Sequence, residues 1–153
     1  HTTNWPTRPV IPAADENRAD VMAAMDIALA CSGTVTTELA EQGAAVITGY
    51  KLGWVSWAIA RTFLLRTRYI SLINIAADRE IIPEFVQTRL RPPLLVGAAQ
   101  PLIDDPARRR EQTAAQHEVI TRLAGNGEDT SAQRAADAIL KILGLPAEAN
   151  QPT

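Results

Sequence analysis

Ile27-Ala28-Leu29-Ala30-Cys31-Ser32-Gly33-Thr34-Val35-Thr36-Thr37-Glu38 carries the reading of this chain. Residues 27–31 are short, apolar and uncharged, the pattern of a strand buried on both faces of a parallel sheet. Three small residues follow, Ser32, Gly33 and Thr34, and then a helical pattern begins. A strand, a tight turn and a helix in that order aim backbone N–H groups at an anion. Glu38 falls one turn into the predicted helix, within reach of a sugar hydroxyl beyond the anion. The same turn also occurs in α/β proteins that bind nothing there, so both readings stand at this point.

Outward from that stretch, the βαβ pattern extends. The helix starting at Thr34 or Val35 is expected to reach about Gln42 and stop at Gly43, a C′ residue. Ala44 to Thr48 is a second short apolar strand, closed by Gly49. Strand, helix and strand at this spacing imply parallel pairing and a right-handed crossover. Ligands of such sheets bind outside the carboxyl ends of the strands, where residues 32–34 and 49–51 both fall. Ahead of the first strand, Val10 and Ile11 read as a short strand ended by Pro12. Asp15 reads as N-cap of a helix to about Ala24.

Beyond Gly49, residues 52–66 form an apolar helical pattern bearing Trp54, Trp57 and Phe63. Tyr69 to Leu72 reads as a short strand and Asn74 to Arg79 as a loop. Pro83 is expected in the first turn of a helix to about Leu90, broken by Pro92 and Pro93. Leu94 to Ile103 is a further helix. Asp105-Pro106 is an N-cap and N1 pair for a helix to Ala124, stopped by Gly125. Thr130 and Gln133 resemble a capping box for a last helix with Ala132, Ala136, Ile139, Leu140 and Leu143 on one face. The front half is thus α/β and the back half helical. The expected organisation is an irregular segment over 1–14, one lobe over 15–144 and a disordered tail over 145–153.

The 153 residues carry a net charge of −2, so no basic field calls for nucleic acid. Cys31 is the single cysteine; it has no internal disulfide partner and reads as a small core side chain. A reducing, cytoplasmic setting fits. The start is polar and proline-bearing, unlike a signal peptide, and no apolar run reaches the roughly 18 residues of a membrane span. His1 is not a natural first residue, so the chain is expected to be a piece of a longer one.

Several clusters carry two readings each. No acidic residue lies between Glu41 and Asp78, while Lys51, Arg61, Arg66, Arg68, Trp54 and Trp57 do. That suits either contact with anionic head groups or an ordinary packed helix with solvated arginines. Asn74, Arg79, Glu80 and Glu84, taken as residues alone, read as a solvated loop. His1 and His117 lack partners at metal-ligand spacing, so no metal site is expected. Ser32 has no base evident in sequence, and neither G-x-x-x-x-G-K-[ST] nor G-x-G-x-x-G occurs.

Three blocks together are specific: Ala28-x-x-x-Ser32-Gly33-Thr34-x-x-x-Glu38; Val46-Ile47-x-Gly49-Tyr50-Lys51; and Tyr69-Ile70-Ser71-Leu72-x-Asn74-x-x-x-x-Arg79-Glu80-x-x-Pro83-Glu84-x-x-Gln87. In order and spacing they resemble the lipid-A-disaccharide synthase family, from about Asp20 through Leu143. The resemblance implies a partial Rossmann-like parallel sheet, followed by helices, from the C-terminal lobe of a GT-B glycosyltransferase. It implies an inverting, metal-independent hexosyl transfer. UDP-2,3-diacylglucosamine and 2,3-diacylglucosamine 1-phosphate give the lipid A disaccharide 1-phosphate and UDP, on the cytoplasmic face of the inner membrane. No cofactor is expected, and the catalytic base is expected on the N-terminal lobe, outside this chain. This chain by itself is expected to be inactive.

Carried over by position, Ser32, Gly33 and Thr34 would hold the donor diphosphate and Glu38 its ribose. Asn74, Arg79 and Glu80 would act near the diphosphate and donor sugar. Ile73 stands where proline is common in the family. Two alternatives are a GT-B protein using UDP-N-acetylglucosamine, such as the peptidoglycan transferase or the 2-epimerase, and a non-catalytic helical module mediating homodimerisation.

Overall fold

A computed structural model gives the fold and describes residues 6, 7, 9, 11, 18–31, 33–51, 53, 68–126 and 129–144. In chain order these form α1 (Arg18–Ala23), β1 (Ile27–Cys31), α2 (Thr34–Glu41), β2 (Ala45–Tyr50), α3 (Leu72–Ala77) and β3 (Glu84–Val86). A 3-10 turn follows at Gln87–Arg89. Then come α4 (Pro92–Asp104), α5 (Pro106–Ala124), a small β4–β5 ribbon (Gly125–Asn126 with Asp129–Thr130) and α6 (Ser131–Leu143).

The expected α/β core is there. β1, β2 and β3 lie side by side, all parallel, with β2 in the middle. Ile27 pairs with Ala45 and Cys31 with Gly49; β3 starts opposite Thr48 and ends opposite Tyr50. Central position explains why β2 is apolar throughout: its first five residues are buried. Alternation along the strands sorts the core into two sets. Ala28 and Val46 face α2, α3 and α5 through Leu39, Ala40, Ile73 and Val119. Ala45, Ile47 and Phe85 face α4 through Leu102 and its neighbours. The central strand β2 is therefore covered on both sides, whereas β1, read from sequence as buried on both faces, has only Ala28 buried and leaves Leu29 63% exposed.

β3 pairs with the carboxyl half of β2 only, so the amino half needs other partners. Two glutamines of α5 supply them. Gln116 is fully buried; its Oε1 accepts the Val46 N–H at 3.1 Å and its Nε2 donates to the Ala44 carbonyl at 2.8 Å. Gln112 Nε2 donates to the Val46 carbonyl at 2.8 Å and to Gln116 Oε1 at 2.9 Å. A side-chain amide offers the same donor and acceptor as a peptide group, so the pair stands in for missing strand.

Four sequence expectations are corrected. Tyr69 to Leu72 is not a strand: Ser71 is the N-cap of α3, its hydroxyl accepting the Asn74 N–H at 3.3 Å. Asn74 to Arg79 is not a loop, because α3 runs to Ala77 and ends at Asp78 with φ 51°. Pro83 opens a strand rather than a helix. Pro92 and Pro93 do not break a helix but begin α4 at N1 and N2, where their missing N–H groups cost nothing. Cys31 is a further departure: it is exposed, because β1 is the outer strand among the described residues. The Asp105 cap, by contrast, holds as read: its carboxylate accepts from the Ala107 and Arg108 N–H groups at 2.9 and 3.3 Å. The expectations for Val10, for the Asp15 cap, for 52–66 apart from Gly53 and for 145–153 fall outside the described residues, as does Ser32.

Candidate functional site

Among the described residues, three helices begin near the carboxyl end of the sheet, and they differ in what their first N–H groups meet. α4 opens on two prolines, which have no N–H to offer. α3 is closed from inside. Glu84 Oε2 accepts the Ile70 N–H at 2.9 Å, and its Oε1 accepts the Ser71 N–H at 2.8 Å. An internal carboxylate thus already sits where an anion would. α2 alone among them is open: it starts two residues past β1, its N-cap is Gly33, and no side chain caps it. A Cβ built on Gly33 would meet nothing within 4 Å among the described residues. The partial positive charge of a helix N-terminus faces that space.

The floor of this turn is fixed from below. Thr36 is buried, and its hydroxyl donates to the Cys31 carbonyl at 3.3 Å, tying α2 to the end of β1. Its N–H returns to the Gly33 carbonyl at 3.1 Å. Lys51 follows directly on Tyr50, the last residue of β2, whose neighbour Gly49 pairs with Cys31 at the end of β1. Lys51 is exposed and takes part in no ion pair among the described residues.

Glu38 sits one turn along α2 with its carboxylate about half exposed. Arg18 of α1 meets it, Nη2 to Oε2 at 2.7 Å, beside a groove of about 270 Å³ between α1 and α2. Both partners are well solvated, so the pair is worth little and yields readily to another donor. Nothing near Arg18 in the sequence points to it, because its role depends on α1 folding against α2.

The second set of expected site residues is not brought to this end. Arg79 and Glu80 follow α3 and precede β3, at the amino side of the sheet. They line a cleft of about 460 Å³ with Arg108, Glu111 and Gln112 of α5. Asn74 is turned inward and is fully buried. Its Nδ2 donates to the Ile82 carbonyl at 2.7 Å and to Glu84 Oε1 at 2.9 Å. Its Oδ1 accepts the Ile81 and Ile82 N–H groups at 2.8 and 2.9 Å. Both amide hydrogens are used, so a bond to substrate would orphan a buried group. Glu84 read as solvated; only its half-buried place on β3 reveals it. Among the described residues no group of three His, Cys, Asp or Glu side chains could hold a metal ion. No helix among them is long and apolar enough to cross a membrane.

A parallel sheet packed between helices, with an uncapped helix start at its carboxyl end among the described residues and an acid one turn in, defines part of a Rossmann-like lobe. The chain belongs to the lipid-A-disaccharide synthase family: a family model described as Lipid-A-disaccharide synthetase matches residues 10–139. Among curated relatives, the lipid-A-disaccharide synthase of Rhodospirillum centenum is 36% identical over 140 residues, which is 92% of this chain and 34% of the relative. That of Paramagnetospirillum magneticum is 38% identical over 125 residues, 81% of this chain and 32% of the relative. That of Prochlorococcus marinus is 41% identical over 99 residues, 64% of this chain and 25% of the relative. The chain spans about a third of the length of the first two.

Proposed function

We propose that this chain is the donor-binding part of a glycosyltransferase of lipid A biosynthesis. The whole protein joins UDP-2,3-diacylglucosamine to 2,3-diacylglucosamine 1-phosphate. The acceptor's 6-hydroxyl oxygen attacks the anomeric carbon, the bond from that carbon to the diphosphate oxygen breaks with its electron pair, and UDP leaves. The hydroxyl proton passes to a base on another lobe. Attack opposite the leaving group inverts the anomeric centre.

The observation that supports this reading is the open start of α2 at the carboxyl end of β1, with Glu38 one turn in, in a chain of this family. Gly33 and Thr34, with Ser32 ahead of them, receive the diphosphate. The helix N-terminus stabilises the charge that develops on departing UDP, a task oriented N–H groups perform without a metal. Glu38 exchanges Arg18 for the ribose hydroxyls. Arg79 and Glu80, set at the amino side of the sheet, are assigned no part in holding UDP. The protein acts peripherally at the inner membrane, where its acylated substrates reside, and needs no cofactor.

Calorimetry tests this directly. The intact polypeptide containing this chain is expected to bind UDP, and Glu38→Gln to lose roughly tenfold in affinity, the order of one charge-assisted hydrogen bond. Unchanged affinity in a folded Glu38→Gln protein rejects the site. The 153-residue chain alone is expected to form no disaccharide; measurable product from it rejects the two-lobe reading.

A further inference from the structure

Glu84 has no role in the family resemblance beyond its place in a sequence block, yet its carboxylate collects three hydrogen bonds. Ile70 N–H, Ser71 N–H and Asn74 Nδ2 all donate to it, at 2.9, 2.8 and 2.9 Å. Asn74 in turn holds Ile81 and Ile82 through their backbone groups. Two side chains therefore satisfy five backbone polar groups drawn from both sides of α3, with an amide–carboxylate bond joining them.

What they hold has a definite place. Glu84 pairs with Thr48, two residues before the end of β2. From Ser71, α3 runs back toward Arg79 at the amino side, so the residues ahead of Ser71 lie toward the carboxyl end. Those residues are Arg68 and Tyr69, with the exposed Arg68 guanidinium 5.7 Å from the Tyr69 ring centroid. The chain that leaves β2 at Lys51 thus comes back beside the same end of the sheet, pinned there by Glu84.

We propose that Glu84 and Asn74 are one positioning unit. It fixes the Arg68–Ser71 shoulder beside the donor, and Asn74 influences the reaction only through it, without touching substrate. This rests on the donor site proposed above. Asn74 has no spare amide hydrogen, and freeing one would leave Ile82 or Glu84 unpaired in the interior. An effect of Asn74 on turnover therefore passes through the shoulder.

The test uses the intact polypeptide and the variants Glu84→Gln, Glu84→Asp, Asn74→Ala and the Glu84→Gln/Asn74→Ala double. All are held at a temperature where circular dichroism reports them folded. Glu84→Gln presents an NH2 group where a second acceptor oxygen was. It should speed hydrogen exchange at Ile70 and Ser71 and lower kcat by about tenfold or more, with UDP affinity by calorimetry within about twofold of wild type. Asn74→Ala should speed exchange at Ile81 and Ile82 and lower kcat comparably. The double variant should lose no more than the worse single, because both remove one unit. Glu84→Asp keeps the carboxylate and should recover part of the kcat; it also carries the test if the Gln variant does not fold. Normal kcat in Glu84→Gln, unchanged exchange at Ile70 and Ser71, or losses that multiply in the double variant overturn the proposal. A wild type that binds no UDP defeats the donor reading and this inference with it. That outcome is distinct from a UDP-binding wild type whose Glu84→Gln variant turns over normally.

Discussion

Gln116 is a polar residue fully buried mid-helix, and its three hydrogen bonds explain why it is there. Gln116→Leu keeps the volume and removes the amide, leaving the Val46 N–H and the Ala44 carbonyl unpaired. Chemical denaturation is expected to show a loss of roughly 2–4 kcal/mol, the cost of two orphaned buried groups. Gly49 makes the opposite point, about space. A Cβ there would lie 2.6 Å from Leu90 Cδ1. Gly49→Ala should cost about 1 kcal/mol or more by overpacking, and Leu90→Ala in the same chain should give part of it back. Neither packing role was legible in sequence: glutamine on a helix usually faces water, and Gly49 reads as the end of a strand and a member of a family block, with nothing to point to Leu90. Asn74 belongs with them, since its partners Ile82 and Glu84 are 8 and 10 residues away and meet it only after α3 folds back.

Elements whose signals are local were legible, and those that depend on neighbours were not. α5 announced both of its ends: Asp105 caps it and Gly125, with φ 90°, stops it. Asp105→Ala removes two accepted N–H bonds and should lower stability by about 1 kcal/mol in thermal or chemical unfolding. β1, α2 and β2 were equally plain, because apolar runs and small-residue turns set the period within a few residues. α3 and β3 were misread together. Tyr69 to Leu72 reads as strand and Pro83 to about Leu90 as helix from sequence alone. β3 is a strand because the free edge of β2 at Thr48–Tyr50 takes up its hydrogen bonds. α3 is a helix because Ser71 and Glu84 satisfy its entrance and Arg122 Nη2 donates to the Ala76 carbonyl at its exit. Tertiary partners outweigh propensity over segments this short.

At the scale of the molecule, stability is concentrated in the sheet and the helices that cover it. α6 stands apart: it packs chiefly on β5, and Ile139, Ile142 and Leu143 are exposed at 57%, 84% and 64%. Deleting residues 127–153 should therefore leave the melting temperature of the sheet within a few degrees, since little buried apolar area is lost. A large drop would mean that α6 closes the core. The proposed donor site lies at the carboxyl end of the sheet, where ligands of α/β sheets bind, and the amino end holds the Gln112–Gln116 pair and the Arg79–Glu80 cleft.

Sequence alone determined the α/β class, the βαβ unit, the long C-terminal helices and the family, because apolar period, capping residues and motif order are written in neighbouring residues. Tertiary structure alone decided which helix start remains open to an anion. It also decided that Asn74 is spent inside the protein and that Arg79 and Glu80 lie across the sheet from the turn. Burial and hydrogen-bond partners are set by segments far apart along the chain, and a side chain's chemistry is free for a ligand only when the fold has not already used it.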